Sequence, residues 1–178
     1  SVRRFYPVIQ EEVRNDPAKA EMKEELGDTV FAEKTTLQLG FIAIQPGTGY
    51  IQAMVGGADF SKYKYNHVMQ PHRQPGSVFK PVLYTAAIDN GYLPTDKYLN
   101  QPIVVENADG TRWTPENYDH SVGGPTPLRE GLRRSLNLIS IHLINDITPR
   151  VVVDYARRLG IRSSLSPYAP LALGASGI

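Results

Sequence analysis

The chain has 178 residues, 41% of them apolar, so it can bury a substantial core and is expected to form one domain with at most a small appendage. Its formal charge of +1, with acidic and basic residues mixed along the chain, provides no basic stripe, so nucleic acid is not expected as a partner. The absence of cysteine excludes disulfides and thiol nucleophiles, and no apolar run reaches the roughly 18 to 20 residues of a membrane span.

The first quarter of the chain predicts one helix and one hairpin. Residues 7–26 are charge-rich and predict a surface helix that is interrupted near Pro17, without any recognisable chemistry. Two apolar, β-branched runs then flank the turn residues 46–49. They predict a β-hairpin over residues 39–55, which is the clearest sheet signal in the sequence.

Helices dominate the prediction for the rest of the chain. One of about four turns begins at Ser77, where Pro81 fits only a first turn, and ends at Asn90. After an irregular stretch over residues 96–124, Thr126 is a suitable N-cap for a second helix with Pro127 in its first position. A polar turn over residues 133–137 separates it from an apolar helix to residue 147, and an amphipathic helix then runs to residue 160.

Ser77 and Lys80 form an SxxK pattern at the start of the first of these helices. Residues three apart share a helix face, so the hydroxyl and the amine are expected within hydrogen-bonding distance. A serine hydroxyl needs a base to remove its proton, and a lysine can be that base if burial lowers its pKa. Apolar cover is expected from the neighbouring residues Val78, Phe79, Pro81 and Val82. Alone, the pattern is equally consistent with a capping serine beside an exposed lysine.

A second polar pattern, SxN, lies about sixty residues later at Ser135 and Asn137. A second hydroxyl can pass a proton to a leaving amine, and an amide can hold both a lysine amine and a substrate carbonyl. A polar turn between helices can also serve only to satisfy backbone ends. SxxK, an S-D-N-type element and K-T-G form the signature set of penicillin-binding proteins and class A β-lactamases, and two of the three occur here in order.

Five segments resemble the transpeptidase domain of class A, bifunctional penicillin-binding proteins: "GFIAIQPGTGYIQAMVGG", "RQPGSVFKPVLYTAAI", "WTPENYD", "GPTPLREGLRRSLNLISIHL" and "LALGAS". The resemblance covers roughly residues 39–176. It implies a lead-in or linker over residues 1–38 and the N-terminal part of the transpeptidase domain over residues 39–178. The implied fold is α+β of the β-lactamase/transpeptidase type, with an antiparallel sheet beside a mostly helical lobe.

The resemblance also implies roles for the four residues of the two motifs. Ser77 corresponds to the acylated nucleophile, Lys80 to its general base, Ser135 to a proton shuttle and Asn137 to a positioning amide. Together they imply a serine D,D-transpeptidase that cross-links peptidoglycan stem peptides and is acylated by β-lactams.

Three further residues are predicted to bind substrate. Gly76 lets a substrate or antibiotic backbone approach closely. Trp113 is expected to line the cleft, although it can instead pack at the edge of the core. Asn117 is expected to contact substrate, although with Glu116 it can equally close a loop. The four histidines have no metal-like spacing, so neither a metal nor another cofactor is expected.

The third motif, KTG or its KSG variant, does not occur in the chain. In the family it lies on a strand beyond the "LALGAS" segment, so we expect the domain to be incomplete at its C-terminal end, with a missing segment completing the sheet. The family also implies a glycosyltransferase domain and a membrane anchor in the parent protein, which places the domain in the periplasm or on the outer face of the cytoplasmic membrane.

Two alternative functions use the same fold. A β-lactamase needs a base to activate the deacylating water, and no glutamate lies between Asn137 and Ile178. A non-catalytic scaffold or binding module would keep the fold without the chemistry. Reaction with a labelled penicillin separates the three possibilities as a stable adduct, turnover or no reaction.

Overall fold

The computed structural model describes residues 11, 15–19, 24, 35–70, 72–106 and 110–178. The chain forms two compact units, Ser1–Pro71 and His72–Ile178. The helix predicted over residues 7–26 falls mostly outside the described residues, among which Pro17–Lys19 form a 3₁₀ turn. These two units are defined by how the residues pack. The predicted boundary between a linker over residues 1–38 and a domain over residues 39–178 is a different division and stays a prediction.

The first unit contains the predicted hairpin. Strands β1 (Phe41–Ile44) and β2 (Ile51–Val55) pair antiparallel, with a register shift between Ala43 and Ile44. Gly47 and Gly49 in the connecting turn have φ of +87° and +73°, which glycine adopts without the Cβ clash of other residues. Within the described residues this sheet has two strands, and its apolar side chains are largely exposed. The prediction of a hairpin over residues 39–55 is confirmed.

Four helices and two 3₁₀ turns form most of the second unit. They are the 3₁₀ turn Gly76–Phe79, α1 (Lys80–Asp89), α2 (Leu128–Arg133), α3 (Asn137–Ile147), α4 (Pro149–Arg158) and the 3₁₀ turn Ala169–Leu173. The helix predicted to begin at Ser77 begins three residues later, at Lys80, because Ser77 lies in the preceding 3₁₀ turn. Pro81 lies in the first turn of α1, and Asn90 follows its last residue, as predicted. Gly160, with φ of +94°, lies just beyond the end of α4.

The core of this unit surrounds α3. All of its apolar side chains from Leu138 to Ile147 are buried, and only polar positions such as Asn145 are exposed, so other elements cover most of this helix. It packs against α1, α4 and the second 3₁₀ turn. By contrast, α4 is amphipathic: Val152, Val153 and Ala156 face the core, while Arg157 and Arg158 are exposed.

Two short antiparallel strand pairs complete the second unit. Strand β3 (Lys97–Leu99) pairs with β6 (Pro125–Pro127), and β4 (Val105–Glu106) pairs with β5 (Arg112–Trp113). Helices and small antiparallel sheets in one chain confirm the α+β class. Of the helices in the described residues, none is both long enough and apolar enough to cross a bilayer.

The predicted start of α2 is wrong by one residue. Thr126 does not cap the helix, because it lies in β6 opposite Tyr98, and Pro127 is the extended residue before the helix. The main-chain N–H of Leu128 donates to the carbonyl of Asp96 at 2.8 Å. Pairing with a distant strand therefore takes Thr126 and Pro127 out of the conformation that the local capping pattern favours.

Candidate active site

Ser77 lies in the 3₁₀ turn immediately before α1, and its side chain is exposed. The start of this turn is held by the end of the chain. The N–H of Gly76 donates to the carbonyl of Gly174 at 3.3 Å, and Arg73 and Ile178 exchange two main-chain hydrogen bonds. Gly174 has φ of +68°, and a Cβ at this position would overlap the main chain of Gly76. The "LALGAS" segment thus fixes the turn that contains Ser77, a role that the sequence pattern did not assign.

Lys80 is the first residue of α1 and is only 1% exposed. It lies on the same face as Leu83, Tyr84 and Ala87, all of which are buried. The prediction that its four apolar sequence neighbours enclose Lys80 is right for only two of them. Phe79 is buried and Val82 is half-buried. Val78 is 80% exposed, and Pro81 is exposed too. Lys80 is buried because it faces the core across the helix, not because adjacent residues enclose it.

The Lys80 amine makes three hydrogen bonds to the Ser135–Asn137 turn. Its Nζ lies 2.6 Å from the main-chain oxygen of Ser135, 3.1 Å from Ser135 Oγ and 2.8 Å from Asn137 Oδ1. These three acceptors match the three N–H groups of an ammonium, and all are neutral. Burial lowers the pKa of Lys80 from 10.5 to about 8, so a useful fraction of the amine is unprotonated near neutral pH.

The expected hydrogen bond between Ser77 and Lys80 is not among those that the described residues make. The amine instead directs its hydrogens to Ser135 and Asn137. Ser77, Ser135 and Asn137 nevertheless line one cavity of about 430 Å³. The structure therefore brings both motifs to the same cavity, with the amine oriented toward the second motif.

The turn between α2 and α3 presents Ser135 to the amine through an uncommon backbone conformation. Ser135 has φ of +56°, which costs about 1–2 kcal/mol for a residue other than glycine. Its N–H donates to Leu132 O at 3.0 Å, and the N–H of Leu136 donates to Gly131 O at 2.8 Å. Asn137 donates from Nδ2 to Glu116 O at 2.8 Å, which leaves its Oδ1 for Lys80. The predicted approach of this turn to Lys80 is confirmed.

The three residues predicted to bind substrate have different surroundings. Gly76 has φ of +58° and open space where a Cβ would stand. Trp113 is half-buried on β5, packs against the core and is not among the residues that line the Ser77 cavity. Asn117 is 3% exposed, and its amide is fully engaged in hydrogen bonds within the protein. Their contacts with substrate stay predictions.

Two charged residues outside the SxxK and SxN motifs lie at the same cavity. Asp119 and Arg134 line it, with 3.9 Å between a carboxylate oxygen and a guanidinium nitrogen. Contact with Ser121, whose main-chain N–H donates to the carboxylate at 3.0 Å, lowers the pKa of Asp119, so its carboxylate is ionised. Arg133 instead faces away into an ion pair with Glu130 at 2.6 Å. Of the two adjacent arginines, only Arg134 is positioned to influence what enters the cavity.

Residues 39–167 match the family model described as the penicillin binding protein transpeptidase domain. The chain belongs to this family. Penicillin-binding protein 1A of Pseudomonas aeruginosa is 35% identical to it over 158 residues, which are 88% of this chain and 19% of that protein. Penicillin-binding protein 1A of Neisseria meningitidis is 35% identical over 156 residues, covering 86% and 20%. This transpeptidase chain thus spans about a fifth of the length of these relatives.

Solved structures agree with this assignment. The crystal structure of penicillin-binding protein 1A from Haemophilus influenzae has a TM-score of 0.75 and 30% identity, covering 79% of this chain and 21% of that one. PonA1 from Mycobacterium tuberculosis, at 21% identity, shares the fold with a TM-score of 0.67 over 98% of this chain and 52% of its own. The predicted β-lactamase/transpeptidase-like fold and the resemblance to class A penicillin-binding proteins are confirmed.

Proposed function

We propose that this transpeptidase chain provides the nucleophilic half of a serine D,D-transpeptidase that cross-links peptidoglycan stem peptides outside the cytoplasmic membrane. One observation carries the proposal. The buried amine of Lys80 is held by Ser135 and Asn137, which are 55 and 57 residues away in sequence, beside a cavity that Ser77 also lines. A buried lysine without a carboxylate partner among its hydrogen bonds is suited to act as a base.

The first step is acylation of Ser77. The neutral Lys80 amine accepts the hydroxyl proton as Ser77 Oγ bonds to the carbonyl carbon of the penultimate D-alanine. The carbonyl oxygen becomes negative near the N-terminal end of α1, where the helix dipole favours negative charge. The amine becomes an ammonium, and its three hydrogens match the three acceptors found around Nζ.

The second step expels terminal D-alanine. The C–N bond breaks, and the departing nitrogen needs a proton. Ser135 Oγ, 3.1 Å from Lys80 Nζ, gives its own proton to that nitrogen and takes one from the ammonium. Asn137 keeps the amine in place during this transfer. The amine of a neighbouring stem peptide then attacks the Ser77 ester, a new C–N bond forms, and Ser77 regains its proton.

A β-lactam enters the same route as an imitation of the D-Ala-D-Ala end. Attack by Ser77 opens the ring C–N bond, and the nitrogen that leaves stays tethered to the acyl group. The ester therefore persists. Two observations on relatives support this step: the names of the similar proteins refer to penicillin binding, and PonA1 has been solved in complex with penicillin V.

The test is covalent labelling of the full-length protein with a labelled penicillin, followed by intact mass measurement over time. We expect one stable adduct, lost in Ser77→Ala and retained in Ser164→Ala, a matched control at an exposed serine far along the chain. Circular dichroism checks that both variants fold. An adduct that turns over would indicate a β-lactamase, and no adduct a binding module. Labelling that survives Ser77→Ala would show that another residue is the nucleophile.

A further inference from the structure

The side-chain amide of Asn117 joins three segments that are distant in sequence. Its Oδ1 accepts hydrogen bonds from the main-chain N–H groups of Asn137 at 2.7 Å and Leu138 at 3.2 Å. Its Nδ2 donates to Asn100 Oδ1 at 2.8 Å and to the carbonyl of Ser121 at 2.7 Å. Both hydrogens and both lone pairs are therefore engaged, and the residue is 3% exposed. This amide has no group left with which to bind a substrate.

The two N–H groups that Asn117 accepts from are the first two of α3. Helix N-termini leave such groups without intrahelical partners, and a side chain at the N-cap position usually satisfies them. Here the N-cap residue is Leu136, which makes no capping hydrogen bond and has no polar side-chain atom. Asn117 provides the cap instead, from a loop that precedes the helix by about twenty residues.

The residue next to Asn117 holds the side chain of the same helix-starting residue. Asn137 Nδ2 donates to the main-chain oxygen of Glu116 at 2.8 Å. Since that oxygen can only accept, the amide of Asn137 must turn its Oδ1 toward Lys80 Nζ, 2.8 Å away. Glu116 and Asn117 together thus fix both the main chain and the side chain of the residue that orients the amine.

Asn100, which accepts a hydrogen bond from the Asn117 amide, is itself held by main-chain hydrogen bonds. Asn100 is 3% exposed, follows β3, and exchanges main-chain hydrogen bonds with the pair Gly123 and Gly124. A flipped Asn117 amide would place its NH₂ against two N–H donors and its oxygen against two oxygen acceptors. Only one orientation of this amide satisfies all four contacts, so the link from Asn100 to α3 has a defined geometry.

We propose that Asn117 is a positioning residue for acyl transfer: it fixes the start of α3 so that Asn137 Oδ1 remains on the Lys80 amine. This role replaces the substrate contact expected from the sequence, and it rests on the proposed function of Ser77 and Lys80. Asn117 acts through Asn137, so removing its amide alters how the amine is held. Asn117 also lines the cavity but is only 3% exposed, so its removal changes little of the exposed cavity surface.

The first experiment measures penicillin acylation of Asn117→Ala at saturating and sub-saturating antibiotic, which separates the first-order acylation rate from the dissociation constant. We expect the acylation rate of the folded protein to fall at least about tenfold and the dissociation constant to change less than about twofold. Asn145→Ala, at an exposed position on the same helix, is the matched control and should behave as wild type. A raised dissociation constant with an unchanged acylation rate would show that Asn117 contacts the substrate, and it would overturn the proposal. No change in either quantity would also overturn it.

The second experiment uses Asn117→Asp, which keeps an oxygen acceptor for the two N–H groups of α3, loses the hydrogen bonds to Asn100 and Ser121, and adds a negative charge. That charge favours the ammonium form of Lys80, so the pKa of Lys80, followed by nitrogen NMR of Nζ, should rise by about half a unit or more. The other charged groups here, the Asp119–Arg134 and Glu116–His120 pairs, are the same in variant and wild type. An unchanged pKa would show that Asn117 is not coupled to the amine.

Amide hydrogen exchange tests the positioning role of Asn117 without relying on acylation of the protein. It therefore shows whether this proposal fails or the proposed function fails. Exchange at Asn137 and Leu138 should accelerate at least about tenfold in Asn117→Ala and by less in Asn117→Asp, which keeps the acceptor for these two N–H groups but loses the hydrogen bonds to Asn100 and Ser121. If wild type is not acylated but exchange behaves in this way, the proposed function fails and the link to α3 stands. If wild type is acylated and exchange is unchanged in both variants, the positioning proposal alone fails.

Discussion

The Lys80 amine is buried among neutral acceptors. A lysine beside a carboxylate is held in its charged form, whereas the Lys80 amine contacts two oxygens of Ser135 and one of Asn137 and has its pKa lowered to about 8 by desolvation. The same three oxygens can receive the hydrogens of the ammonium that forms when Ser77 loses its proton. Burial favours the neutral amine of Lys80. When the ammonium forms, the three hydrogen bonds give each of its N–H groups a partner.

The lowered pKa has a consequence for stability that Lys80→Met isolates. Because the amine titrates near pH 8 in the folded protein and near 10.5 in the unfolded chain, the folded state binds fewer protons between these values. The free energy of unfolding should therefore rise by about 3 kcal/mol from pH 8 to pH 10.5 in wild type relative to Lys80→Met. Denaturant unfolding of both proteins at several pH values measures the difference. Parallel pH curves for the two would mean that the amine titrates normally.

At the level of residues, the sequence predicts that Lys80 meets the turn of Ser135 and Asn137, and the structure shows these hydrogen bonds. The two motifs could be recognised because each combines chemistry with a short, fixed spacing, and the roles of their residues stay predictions. The capping role of Asn117 could not be recognised, because its partners lie about twenty residues away and the N-cap position of α3 is occupied by a leucine. Only the three-dimensional path of the loop brings this amide to the helix.

Among the elements, the second 3₁₀ turn is followed by a residue that contacts the turn containing Ser77. Ala169–Leu173 end at Gly174, whose main chain lies directly against that of Gly76. The motif helices were predictable from their apolar spacing and their proline and glycine boundaries. The pairing of β3 with β6 was not, since Pro125–Pro127 lack the β-branched alternation that indicates a strand.

Gly174→Ala tests the contact between the main chains of Gly174 and Gly76, and a second glycine provides the matched control. Gly160 also has a positive φ, +94°, but open space lies where its Cβ would be. We expect Gly160→Ala to cost about 1–2 kcal/mol of stability through its left-handed backbone alone and to leave penicillin acylation unchanged. Gly174→Ala should cost more and should also slow acylation, because the new Cβ displaces the Gly76–Ser77 turn. Equal effects of the two substitutions on stability and rate would contradict the close contact.

For the whole molecule, the chemistry and the clearest sheet signal belong to different compact units. Every residue of the candidate active site lies in His72–Ile178, whereas β1 and β2 lie in Ser1–Pro71. A two-stranded hairpin is marginal by itself, and this one leaves large apolar side chains exposed. Exposed apolar strands at a sheet edge promote association between chains.

The hairpin therefore makes a prediction about self-association. Ile44 and Ile51 are directly paired, and each is 54% exposed. Replacing both by lysine should lower association of the 178-residue chain, measured by sedimentation velocity across a concentration series, without changing the helical signal of the second unit. Gln52→Lys on the same strand adds a charge but removes no apolar surface, so it serves as the control. Association that is equal in all three proteins would exclude the hairpin as its cause.

The central claim, that a buried Lys80 amine activates Ser77, is tested most directly by the pH dependence of the acylation rate. The first-order rate of penicillin acylation should increase about tenfold per pH unit below the midpoint and level off above it, with the midpoint near the Lys80 pKa of about 8. At pH 7 only about a tenth of the amine would be unprotonated. A rate that is flat from pH 6 to pH 9, or that retains its wild-type value in Lys80→Met, would contradict the account.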